Sequence, residues 1–102
     1  MEQNIKAFIY DRKGRVISIG QNSYTKSHPI QAKFAKHVGL DKKIYLHAEI
    51  DAIVKCPDLS KAHRILVIRT NKKGQNLLSK PCPICMSAIG STNIKVIEWS
   101  SS

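Results

Sequence analysis

Apolar and polar positions alternate in part over Ile5-Lys6-Ala7-Phe8-Ile9-Tyr10, which predicts a strand. Asp11-Arg12-Lys13-Gly14 has the composition of a turn, and Arg15-Val16-Ile17-Ser18-Ile19-Gly20 predicts the antiparallel return strand. From Pro29 the period changes. Ile30, Phe34 and Val38 recur every fourth residue and predict one apolar face of a helix, with Lys33, Lys36 and His37 off that face and Gly39 as the stop. A second helix is predicted from about His47, with Ile50, Ile53 and Val54 inward and Pro57 ending it. Ile65-Leu66-Val67-Ile68 is an unbroken apolar run and predicts a central buried strand. Asn71 to Gln75 predicts a polar turn, Cys82 to Gly90 a short third helix, Lys95-Val96-Ile97-Glu98-Trp99 a last strand, and Ser100 to Ser102 a tail. The order is β-β-α-α-β-α-β. Helical connections after the hairpin imply parallel neighbours, so the expectation is an α/β domain with a mixed four-stranded sheet covered by helices.

The chain has 102 residues, enough for a single domain over 1–102. No apolar run approaches the roughly 18–20 residues that span a bilayer, and Met1 to Lys6 carries no signal-peptide pattern, so the expectation is a cytoplasmic protein with no membrane partner. Lys and Arg number 17 against 7 Asp and Glu, a net charge of +10. That balance favours a phosphate-bearing partner, whether free nucleotide or nucleic acid, and a merely solubilising surface is the open alternative.

The three cysteines are Cys56, Cys82 and Cys85, an odd number with two in Cys-x-x-Cys, which argues against a disulfide framework. Cys56 reads as a small, half-buried apolar residue. The Cys82/Cys85 pair suits a metal or a redox site. Two features favour metal: His47-Ala48-Glu49 begins the second helix, and Pro81-Cys82-Pro83-Ile84-Cys85 begins the third. One imidazole and two thiolates make three zinc ligands, which leaves the fourth tetrahedral position open, as catalysis requires. Cys82 and Cys85 are three apart and face one side of a first helical turn. Helix starts carry partial positive charge, which favours thiolates. His47 and Glu49 would point apart in mid-helix, whereas at a helix start both reach one cavity.

His-x-Glu followed by Pro-Cys-x-x-Cys is the signature of zinc nucleobase deaminases. On these residues and on the strand–helix order, the chain resembles the cytidine deaminase-like superfamily, as a member of minimal length. The resemblance implies a three-layer α-β-α fold, truncated after the fourth strand, and a likeness to a homo-oligomer whose exposed last strand is a pairing edge. It implies a Zn2+ ion held by His47, Cys82 and Cys85, with Glu49 as catalytic proton shuttle. It places Asn22, Ala48 and His28 against the substrate. For Asn22 a turn-forming role is the alternative, and for His28 an exposed position or a cap before Pro29. Lys26 meets a phosphate or is simply solvated.

The implied activity is hydrolytic deamination of a cytosine base, in a nucleoside or nucleotide. His-Ala-Glu-Ile and Pro-Cys-Pro-Ile-Cys-x-x-Ala-Ile look like the tRNA adenosine and guanine deaminase branches, and His-Ala-Glu is also found in the deoxycytidylate branch. A polynucleotide deaminase and a guanine deaminase-like enzyme therefore stay open, as does a non-catalytic zinc module that binds nucleic acid. Against a polymer substrate, aromatic residues for base stacking are few: Phe8, Tyr10, Tyr24, Phe34, Tyr45 and Trp99.

Overall fold

The computed structural model describes residues 4–23, 26–39 and 46–100; Tyr24, Tyr45 and the last two serines lie outside them. Strand β1 (Asn4–Tyr10) pairs antiparallel with β2 (Val16–Gln21), as the alternation predicts. Gly14 closes the turn between them with φ +81°, a conformation that glycine adopts without strain. Asp11 holds this turn together: its carboxylate accepts from the Lys13 and Arg15 amides and from Arg15 Nε. The Arg15 amide bond is the largest of the influences that hold the Asp11 carboxyl below the usual carboxylate range. Its contribution to stability is present above the ordinary aspartate pKa of about 3.9 and is lost as pH falls through the lower folded value. Asp11→Ala is therefore expected to destabilise the protein in urea titrations at pH 7 and to cost less as pH falls below the ordinary aspartate pKa. A cost that does not change with pH would contradict this role.

Helix α1 is Pro29–His37, α2 is Ala48–Lys55, and a 3-10 turn at Leu59–Lys61 leads into β3 (Arg64–Thr70). Strand β1 runs antiparallel along β3 from end to end. Helix α3 (Pro83–Gly90) then connects to β5 (Val96–Trp99), which lies parallel to β3 over Arg64–Val67.

Among the described residues the sheet has five strands, not four. Asn76–Leu77 forms a two-residue strand, β4, that folds back on Arg69–Thr70 beyond the turn at 71–75. Two residues are too few to show any alternation, so only the backbone pairing reveals it. Ser100 is likewise no tail. Its amide donates to Val67 O and to Ser79 Oγ, and its hydroxyl donates to Leu77 O and accepts from the Arg69 amide. Ser79 Oγ in turn donates to Val67 O at 2.7 Å. These two serines join β3, β4 and the end of β5 where the strands part.

The three-layer α-β-α expectation also needs correcting. Ala7, Ile9, Ile65 and Val67 point to one side of the sheet and pack with Ala48 and Ala52 of α2 and Ile89 of α3. A second cluster joins the far sides of α2 and α3 to α1 through Ala35, Ile50, Ile84 and Ala88. Among the described residues all three helices thus lie on one side, with α1 outermost. The other face carries half-buried Phe8, Leu66 and Ile68 and exposed Ile19. The pattern of β3 was no guide here, because an unbroken apolar run does not say which side is covered. Val54, expected inward, is 40% exposed; α2 instead buries Ala48 and Ala52, four residues apart, against β2. Gly20 permits that close approach, since a Cβ there would run into the Ala48 carbonyl oxygen and the Ala52 amide nitrogen. No helix among the described residues is long and apolar enough to cross a membrane.

Candidate metal centre

Two helix starts meet at one end of the sheet. His47 is the N-cap of α2 and Cys82 the N-cap of α3, both with extended backbone, and neither makes a side-chain capping bond to its own helix. Their side chains turn toward each other instead. Pro83 supplies the preset φ for the first turn of α3, and Cys85, two residues on, is buried beneath it. His47 Nδ1 lies 3.2 Å from Cys85 Sγ and 3.4 Å from Cys82 Sγ. A tetrahedral ion with bonds of about 2.0–2.1 Å to nitrogen and 2.3 Å to sulfur holds such atoms about 3.6 Å apart. The three donor atoms all lie within 4.8 Å of one another, and no fourth His, Cys, Asp or Glu among the described residues joins them. The cluster could hold a metal ion, and its NS2 donor set suits a soft or borderline one.

The thiols are set for this. A hydrogen bond from Cys85 holds Cys82 down to about 3, with His47 adding to the effect. The same bond, together with burial, pushes Cys85 up. A bound cation would favour both sulfurs as thiolates.

No family model matches the chain, and no curated protein matches it. The arrangement itself carries the chemistry. A cavity of about 290 Å3 opens over the cluster, with Asn22, His47, Ala48, Glu49 and Cys82 in its wall. Glu49 is 6% exposed, and desolvation holds its carboxyl above the ordinary glutamate range. Asn22 sits at the end of β2, where its Oδ1 accepts from the Ile5 amide at 3.0 Å and its own amide donates to Ile5 O. His28 is elsewhere: it is the N-cap of α1, and its Nδ1 accepts from the Ile30 amide. Lys26 is exposed and its carbonyl accepts from the Leu46 amide. Cys56 is half-buried at the end of α2, packed against the sheet-side core.

Pattern reading missed three residues. Gln31 is fully buried on α1, and its Oε1 accepts from the His47 amide at 3.1 Å. It fixes the residue that begins α2 and presents the imidazole. Asp51 accepts from the Gln21 amide and pairs with Lys55, which ties α2 to the end of β2 beside Asn22. Arg69 lines the cavity with its Nε buried and, among the described residues, without a hydrogen-bond partner. A buried glutamine within an apolar helix pattern was the one available signal.

Gln31→Leu keeps the volume and leaves the His47 N–H without this acceptor. The expected cost is about 1–3 kcal/mol of stability, with metal affinity about tenfold weaker, in the range seen when outer supports of a ligand are removed. Thermal melting and competitive chelator titration would measure both. Unchanged metal affinity would remove Gln31 from the centre.

Proposed function

We propose that this chain is a zinc-dependent hydrolytic deaminase acting on a cytosine base. One observation carries the reading: an open His/Cys/Cys cluster shares its cavity with a buried carboxylate, Glu49. A structural metal site closes with four protein ligands and has no use for such a carboxylate. Zinc held by His47 Nδ1, Cys82 Sγ and Cys85 Sγ would supply a water acidified toward a pKa of about 7.

The remaining steps belong to the chain. Glu49 accepts a proton as the water oxygen bonds to the amine-bearing ring carbon. It delivers that proton to the adjacent ring nitrogen. It then carries the second proton to the exocyclic nitrogen as the C–N bond breaks, so that ammonia leaves and a carbonyl remains. A carboxyl whose ionisation is disfavoured by burial is suited to both giving and taking a proton. Asn22 and Ala48 form the wall against which the base and its sugar are held. The cavity volume of about 290 Å3 suits a single nucleoside unit.

The test is ammonia release by zinc-loaded protein from cytidine, deoxycytidine, their monophosphates, guanine, and cytosine- or adenine-containing single strands. Turnover of a cytosine substrate supports the proposal, and turnover of guanine or adenine alone would replace the base. Silence on every substrate with zinc bound would overturn the reading in favour of a non-catalytic zinc module.

A further inference from the structure

The largest cavity described, about 650 Å3, is not at the metal centre. It lies at the opposite end of the sheet, where the β1–β2 turn, the 3-10 turn and the segments before β3 and β5 come together. The metal-site cavity touches Ile5 at the start of β1, and this cleft begins at Asp11, just past its end. At the rise of a strand, that is a separation of about 20 Å.

Arg12, Lys13, Arg15, Lys61 and Lys95 line the cleft, and all five are exposed. One carboxylate, Asp11, is among its walls, and it is engaged by Arg15 at 2.8 Å. Asp58, next to the cleft, caps the 3-10 turn through the Ser60 amide. Arg12, Lys13, Lys61 and Lys95 make no ion pair among the described residues. Cations from three separate segments thus converge on one concave surface. Like charges repel when brought together, so an anionic ligand gains from all of them at once. Among the described residues its lining has no Phe, Tyr, Trp or large aliphatic side chain, and the His63 imidazole is the one ring on which a base could stack. Its cations, made for phosphate, outnumber the groups able to hydrogen-bond a base, which are Ser60, His63 and Asn93.

We infer that this cleft binds the phosphodiester backbone of a nucleic acid strand, at a site separate from the metal centre. An open cleft whose cations are spread over several segments rewards a ligand with several phosphates more than one with a single phosphate. Contacts of this kind fix position without conveying sequence. The inference does not depend on the reaction proposed above, because binding is read without turnover.

The test is fluorescence anisotropy of a labelled mixed-sequence single strand of about 20 nucleotides, titrated with the full chain over a range of salt concentrations. A triple variant, Lys13→Glu, Lys61→Glu and Lys95→Glu, is compared with a control of equal charge change, Lys33→Glu, Lys36→Glu and Lys73→Glu, whose side chains are exposed away from the cleft. The cleft variant is expected to bind about tenfold or more weakly. Its plot of log K against log salt should be shallower by about 2, at roughly 0.7 per single-strand phosphate contact. The control should change by no more than about threefold, within the range of non-specific screening. Far-UV circular dichroism checks folding, and Lys→Gln at the same three cleft positions should give an intermediate loss. Equal losses in the two triple variants would overturn the inference, because diffuse charge would then account for binding. Inorganic phosphate or a mononucleotide competing as well as an unlabelled strand would also overturn it and assign the cleft to a free phosphate ligand.

Discussion

Glu49→Gln is expected to retain a full complement of zinc while turnover falls by about 10²–10⁴-fold, the usual worth of a positioned general acid–base group. That range corresponds to about 3–5 kcal/mol of barrier. The amide keeps the size of the carboxyl group and can still hydrogen-bond, but it cannot cycle a proton. Glu49 is outside the three-atom ligand cluster, so metal content should not change. Stability supplies a second readout. Burial is what disfavours the Glu49 carboxylate, so replacing it with a neutral amide should leave the Tm of the metal-free protein unchanged or raised. Lost activity with intact metal and intact stability is a combination that a purely structural role for Glu49 does not give. Activity close to that of the wild type would remove Glu49 from the proposed mechanism.

Gly20→Ala is the substitution expected to damage the fold most for its size. The added methyl would meet the Ala48 carbonyl and the Ala52 amide, which are backbone atoms of α2 and cannot swing aside like a side-chain tip. Either β2 or α2 must move, and Ser18 Oγ, which donates to Ala52 O at 2.7 Å, would lose its partner with the shift. Overpacking of ordinary cores costs about 1–3 kcal/mol, so a backbone clash should reach or pass the top of that range. For a domain of this size about 3 kcal/mol lowers Tm by roughly 12–24 °C. The start of α2 carries His47 and Glu49, so metal affinity should fall with stability. Thermal melts with and without zinc test this. A Tm within about 2 °C of wild type would show that the two elements separate more easily than their contact implies.

The motif was legible because its chemistry is local. His47, Glu49, Cys82 and Cys85 each sit within a few residues of a helix start that proline or apolar spacing announces, and the structure brings His47, Cys82 and Cys85 together. The hairpin and the three helices were legible for the same reason, since period and turn residues are properties of short windows. What pattern did not reveal depends on partners remote in the chain. Gln31 looks like an interruption of an apolar face until the His47 amide, sixteen residues away, is placed against it. Ser100 looks like a tail until Val67, Leu77 and Ser79 surround it. The placement of the helices on one side of the sheet was not legible either. Half-buried Phe8, Leu66 and Ile68 on the open face read from sequence just as they would beneath a helix.

Deamination at this site requires a metal centre with three protein ligands and one open position. X-ray absorption at the zinc edge of the purified, zinc-loaded protein tests that. The predicted result is two sulfurs at about 2.3 Å, one imidazole nitrogen at about 2.0–2.1 Å and one further light atom without imidazole scattering, with one sulfur lost in Cys82→Ser. A closed shell of four protein donors, with a second imidazole or a third sulfur, would contradict the open site and leave zinc as a structural staple.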